Sequence, residues 1–351
     1  MVDGPGWGGE IRVFEADGSF VRAVGRWGEG RGGFRDIGDA FAGPGEEIWV
    51  EDRSTRRYEV FDTAGSWVSS HPFVFGESGG GPRVWTRQGL MAVRQEFGDA
   101  ADSVRFYELA GGELMPTRRM AASVWPQSSK QTFAVVVSLS GLQLGHRAPI
   151  PYAPENRAIL GSELDLWMAF QIGRDRYHIR RTSLETGDDL LSVTHRYEPA
   201  AISESVRKAK ADSLADRHAV WSVSERSGPA VRVRPEIDWK TFPLHYPAFQ
   251  SIHLSAGGEV WVRRLLAGGV VGFDVFAPDG RYLGQPAVPR NFARMYVQVI
   301  TRSSIYAVEA GSRHVVRFDV SGAGEDRAGE GFLSGCGRPA APASPRYYSR
   351  E

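Results

Sequence analysis

Five segments of this chain share one arrangement, an aromatic residue followed four positions later by glycine, and their spacing restricts the fold more than any other feature. They are Ile11-Arg-Val-Phe14-Glu-Ala-Asp-Gly18, Tyr58-Glu-Val-Phe61-Asp-Thr-Ala-Gly65, Val104-Arg-Phe-Tyr107-Glu-Leu-Ala-Gly111, Phe273-Asp-Val-Phe276-Ala-Pro-Asp-Gly280 and Val315-Val-Arg-Phe318-Asp-Val-Ser-Gly322. The first three aromatics are 47 and 46 residues apart and the last two 42. Between Tyr107 and Phe276 there is room for one degenerate copy, and Tyr177–Arg196 supplies it: two strand-like runs about Gly187, without the aromatic.

Each copy reads as a β-hairpin, because a β-branched and aromatic run enters a short turn whose glycine accepts positive φ. Upstream of most copies lies a further strand marked by an aromatic: Glu47–Val50, Asp165–Phe170, Glu259–Val262 and Ser304–Val308. Innermost strands are read at Phe249–Leu254 and Met295–Ile300. Four short strands with tight turns need about 40–45 residues, the blade period of a β-propeller. Glycine makes up 42 of 351 residues, about 12% against a usual ~7%. With 42% hydrophobic residues, those glycines fit turns between many strands.

The expectation is an all-β, six-bladed propeller over residues 1–321, with units at 10–25, 34–72, 82–119, about 130–197, 249–287 and 295–320. The first unit carries only its outer two strands. Met1 is therefore expected to fall inside a strand of the first blade, with about two strands missing upstream. Residues 198–248 depart from the repeat. Ser203–His218 has a Ser suited to N-capping, no Gly or Pro, and apolar residues at 206, 209 and 214, which predicts a short helical insertion after blade four. Residues 322–351, rich in Gly, Ala, Pro and Arg, read as a disordered tail holding the single cysteine, Cys336.

Composition removes several function classes. The 42 basic residues balance 42 acidic ones, against a dedicated nucleic-acid binder. One cysteine rules out an intramolecular disulfide and a Cys-based zinc cage. No run approaches 18 apolar residues, so no membrane-spanning helix is expected. The first ten residues carry neither a basic nor an apolar leader region, which points to the cytoplasm for a chain that starts here and to export if an upstream signal precedes it.

The hairpins, together with Gly25-Arg-Trp-Gly-Glu-Gly-Arg-Gly-Gly-Phe34 joining the first two units, resemble the bacterial six-bladed propellers related to NHL repeats. In that family a Gly-Glu-Gly-Pro-Gly-Glu-Phe type linker follows the hairpin; here Arg31, Gly32 and Gly33 replace Pro-Gly-Glu. The stretch from Pro247 through Gly258-Glu-Val-Trp-Val262 to Gly284 also resembles the family's late blade. The resemblance implies a ligand- or protein-binding platform.

Gly28–Gly33 fits the dinucleotide fingerprint G-x-G-x-x-G, but Phe34-Arg-Asp-Ile-Gly follows where a helix should start, so it reads as a linker. Ser205-Val-Arg-Lys208 matches S-x-x-K without its partner motifs and reads as a solvated helix face. A metal-dependent hydrolase or lactonase with calcium at the central channel is the alternative. Its oxygen ligands would come from Asn156, Asn291 and Asp52 or Glu309. The leading expectation is non-enzymatic, without a cofactor: a monomeric platform presenting one loop face to a protein, peptide or glycan. That face gathers the loops between second and third strands, with Asp52, Arg53, Arg174, Arg264, Glu309 and Arg313 as candidate contacts.

Overall fold

A computed structural model of the protein describes residues 10–15, 19–72, 80–97, 100–120, 131–139, 142–222, 231–286, 288–301, 304–309, 315–320 and 346–347. It opens on a hairpin of β1 (Ile11–Phe14) and β2 (Phe20–Val24), then a short parallel pair, β3 (Arg26–Trp27) with β4 (Gly33–Phe34). Blade I follows as β5 (Ile37–Ala42), β6 (Ile48–Asp52), β7 (Arg57–Phe61) and β8 (Trp67–Pro72). Blade II is β9 (Gly80–Trp85), β10 (Leu90–Phe97), β11 (Ala100–Ala110) and β12 (Glu113–Met120). A separate hairpin, β13 (Thr132–Leu139) with β14 (Leu142–Pro149), precedes blade III: β15 (Arg157–Gly161), β16 (Asp165–Gln171), β17 (Arg176–Ser183) and β18 (Asp189–Arg196). The insertion holds α1 (Glu204–Arg217) and the pair β19 (Val220–Ser222) and β20 (Val231–Val233). Blade IV is β21 (Ser251–Leu254), β22 (Val260–Leu265), β23 (Val271–Phe276) and β24 (Tyr282–Gly284). Blade V is β25 (Met295–Ile300), β26 (Ser304–Glu309), β27 (Val315–Asp319) and β28 (Arg346–Tyr347).

Every blade is an antiparallel meander with its strands hydrogen-bonded in chain order, and the first strands of blades I and II, II and III, and III and IV touch. This is a β-propeller arrangement with one α-helix among the described residues. Five apolar clusters hold it, each joining two successive sheets. One joins the β1–β2 hairpin to blade I through Ile11, Val24, Val50 and Phe61, and the last joins blades IV and V.

The repeat has a common register. Phe61, Tyr107, Phe276 and Phe318 lie on third strands, opposite Ile48, Met91, Val260 and Ile305 of the second strands. In blade III the same place, opposite Leu166, is taken by Thr182. Beside it, the third-to-fourth strand pairing slips at Val60/Phe61, Phe106/Tyr107, Arg181/Thr182 and Val275/Phe276, and again at Val13/Phe14 in β1–β2. A bulge at a fixed place increases local twist and turns each outer strand the same way. The hairpin glycines Gly65, Gly187 and Gly280 sit at φ between 81° and 85°, where a side chain would be strained.

Four expectations need correction. Six units recur, but the described residues form five four-stranded blades. The first unit is the β1–β2 hairpin alone, packed against blade I as each blade packs against the next. The fourth unit starts at Arg157 rather than near 130, because Thr132–Pro149 pair only with each other. The tail contributes Arg346–Tyr347 as the fourth strand of blade V, so it is not wholly unstructured. The helix forms where expected, with the Ser203 side chain accepting from Val206 N at 3.3 Å, but it buries Ala211, Leu214 and Ala215 and leaves Val206 exposed. Its packing partner is Phe242. The expectation about Met1 lies outside the described residues.

Gly28–Gly33 forms a loop closed on itself: Arg26 N donates to Gly32 O, and Gly28 N to Phe34 O. No helix of the described residues is long and apolar enough to cross a membrane.

Candidate functional site

At three places a polar residue at or near the end of a second strand holds the backbone of a neighbouring connection. Asp52 is fully buried and accepts from the backbone N–H of Arg35, Asp36 and Ser54, and from the Thr55 hydroxyl at 2.9 Å. Gln171 Oε1 accepts from Ala248 N at 3.0 Å. Arg263 Nη1 donates to Met295 O at 2.8 Å. Buried backbone groups at blade junctions need such partners, so the charge of Asp52 is committed to the fold.

Arg264 is likewise not on an exposed loop. It is 4% exposed and donates through Nη1 to Asp274 Oδ2 at 3.0 Å and through Nη2 to Glu198 O at 3.2 Å. The rest of the network spans blades III and IV. Tyr177 Oη donates to Asp274 Oδ2 at 2.6 Å, while Gln285 Nε2 at 2.6 Å and Tyr282 Oη at 3.4 Å donate to Oδ1. Both Asp274 oxygens are thus satisfied, as a buried carboxylate requires. Burial first, and then the charge of Asp274, push the Tyr177 phenol far above its ordinary range. The same causes push Tyr282 up to about 12. Burial holds His195 below the usual imidazole value despite Asp274 nearby.

The network lies beneath a cleft. Arg264 stacks over the ring of Tyr197 at 4.6 Å, and Tyr197 lines a cavity of about 320 Å³ with Pro154, Arg174, Pro243, His245 and Tyr246. One wall is the strap 243–249, which bridges back to the chain after blade III: Ile202 N donates to Leu244 O and Tyr246 N to Ala200 O. Its two prolines, Pro243 and Pro247, fix an extended course. Tyr246 packs edge-on against Tyr152 at 5.3 Å.

Of the sequence-predicted residues, Arg174 is the one that this cleft gathers. It sits in the β16–β17 turn, exposed, with Nη2 donating to His245 Nε2 at 2.9 Å. That bond fixes the His245 proton on Nδ1. Arg53 is 55% exposed on another blade, its Nε 3.7 Å from Glu51. Glu309 ends β26, half-buried, and Arg313 lies outside the described residues. His245, Tyr246 and Tyr197 were missed. The available signal is the Pro243–Pro247 frame, whose two prolines imply an extended segment.

Among the described residues, no three His, Cys, Asp or Glu side chains converge as a metal site.

No family model and no curated protein sequence matches the chain. Solved structures that resemble it include virginiamycin B lyase from Staphylococcus aureus, at 12% identity over 86% of this chain and 85% of that one, with a TM-score of 0.35. A member of the DUF4221 family from Bacteroides vulgatus is 10% identical over 86% and 80%, with a TM-score of 0.42. Hsv2 from Kluyveromyces marxianus is 11% identical over 88% and 86%, with a TM-score of 0.40. Likeness at this level says nothing about chemistry, and the blade assignment rests on the hydrogen-bonded sheets.

Proposed function

We propose that the protein is a non-catalytic recognition module that binds an extended, acidic peptide segment of a partner protein on the loop face between blades III and IV. The observation that carries this reading is the cleft, where an exposed arginine stands over aromatic and proline walls. Rigid walls of this kind lose little entropy on binding. The planar guanidinium of Arg174 has five N–H donors, one engaged by His245, and its fork suits a carboxylate. In the same reading β1–β2 is the outer half of a sixth blade, in keeping with its bulge at Val13/Phe14 and with the NHL-like repeat.

The test is selection from a displayed peptide library, followed by affinity measurement with purified variants. Acidic peptides should be enriched. Arg174→Ala should weaken them about tenfold, the value of one charge-assisted bond, and Arg53→Ala should leave them unchanged. No enrichment, or equal affinity for Arg174→Ala, removes the reading.

A further inference from the structure

On the other side of the strap lies a second pocket, of about 400 Å³, between α1, the end of the β13–β14 hairpin and the strands that open blades III and IV. Its walls come from separate stretches of chain: Ile150 and Tyr152, Leu214 on the helix, and Phe249 and Leu265. These make an apolar body, and Tyr152 is held there at φ 61°, an unusual conformation for a non-glycine residue.

The charges around it are one-sided, and the helix explains why. Positions 210, 214, 217 and 218 share one face of α1, and this face lines the pocket. It presents Lys210, Leu214, Arg217 and His218. The helix carboxylates are turned elsewhere. Asp216 pairs with Arg234 at 3.0 Å and Asp212 lies 3.8 Å from the same arginine on the far side, while Glu204 pairs with Lys208 at 3.2 Å. Arg207 and Lys208 lie over the Trp239 ring, away from the pocket lining. Among the described residues the one acidic side chain in the lining, Glu155, is paired with Arg157 at 2.9 Å. Lys210 and Arg217 therefore face an apolar pocket in which the one carboxylate among the described lining residues is already paired.

We infer that this pocket is a binding site for a small amphipathic organic anion, its carboxylate held by Lys210 and Arg217 and its hydrocarbon against Leu214, Phe249 and Leu265. A volume near 400 Å³ is within the range of ordinary small-molecule sites. The site is separate from the peptide cleft, and neither Arg174 nor His245 lines it.

Calorimetric titration of the full chain with octanoate, octan-1-ol and octyltrimethylammonium tests the assignment. Octanoate should bind saturably at one site, the alcohol at least about tenfold more weakly, and the cation not at all. Lys210→Ala with Arg217→Ala should weaken octanoate by about tenfold or more, with the helix signal in circular dichroism unchanged. Lys208→Ala and Arg174→Ala should bind octanoate as the parent does. Absence of saturable octanoate binding, equal binding of all three amphiphiles, or an unchanged affinity in the double variant overturns the inference. Since Arg174→Ala is silent here and decisive for the peptide cleft, failure of one site is distinguishable from failure of the other.

Discussion

Two neighbouring joints of the propeller are both held by an apolar cluster, and one of them adds a buried charged network to it. Between blades IV and V, the rings of Phe273, Phe292 and Phe318 pack in sequence, the first pair edge-on at 5.5 Å and the second tilted at 4.8 Å, with Ile305 and Val316 around them. Between blades III and IV, the equivalent interior holds Asp274 with its arginine, two tyrosines and a glutamine. The apolar joint needs only shape and volume. The polar joint needs every partner in place, because a carboxylate or guanidinium left alone in the interior keeps its full desolvation cost. It also does something the apolar joint does not: it fixes Arg264 beneath Tyr197 and so positions one wall of the cleft.

The largest effect should come from breaking the polar joint on one side. Asp274→Ala removes the carboxylate to which Arg264 and Tyr177 both donate, leaves the buried guanidinium charge uncompensated, and should cost about 4 kcal/mol in urea unfolding. Replacing both charges, Asp274→Leu with Arg264→Met, should recover most of that loss. If the single substitution is no worse than the double, the joint is not acting as a charge pair.

Next comes the apolar joint. Phe292→Ala removes the ring that both neighbours touch and should cost about 3 kcal/mol, with no rescue by any second change in charge. A loss below about 1 kcal/mol would mean the joint collapses to fill the space.

Acid should separate the two joints by a smaller margin. His253 is on β21, beside Phe273, and its imidazole is lowered to about 4, first by burial and then by the nearby Arg263. Its unfolded value is near 6.5, so the unfolded chain takes up the proton first. The stability due to the neutral folded form is complete above about pH 6.5 and is lost as pH falls towards 4. The drop from pH 7 to pH 5 should be of order 1–2 kcal/mol. His253→Gln should flatten that part of the profile, and an identical slope in the variant would show that another group carries it.

The fold was largely legible in the chain because its signal is local and repeated. Strand alternation, turn glycines and an aromatic at a fixed offset recur, so the strands of a blade such as β21–β24 could be placed within about three residues. Where the signal is not repeated, reading was poorer. Thr132–Leu142 has strand composition, yet nothing local tells a blade from an inserted hairpin, since that depends on which partner is free to pair. Arg264 and Asp52 read as loop charges because they lie at or next to strand ends. Their burial follows from the neighbouring blade and connection, which lie far off in sequence or outside the strand. Asp274 did leave a trace: it is the single charge in Val271–Phe276, a strand buried along its whole length.

The sequence by itself determined the module, its approximate period and the helix capped by Ser203, all of which depend on contacts within some twenty residues. Tertiary structure decided which charges are solvated and which are locked, and which side chains meet at a cleft or pocket. Arg174 and His245 are 71 positions apart and touch only because two blades and a proline-framed strap converge. Local propensity cannot encode such meetings, since they follow from how whole sheets pack about an axis.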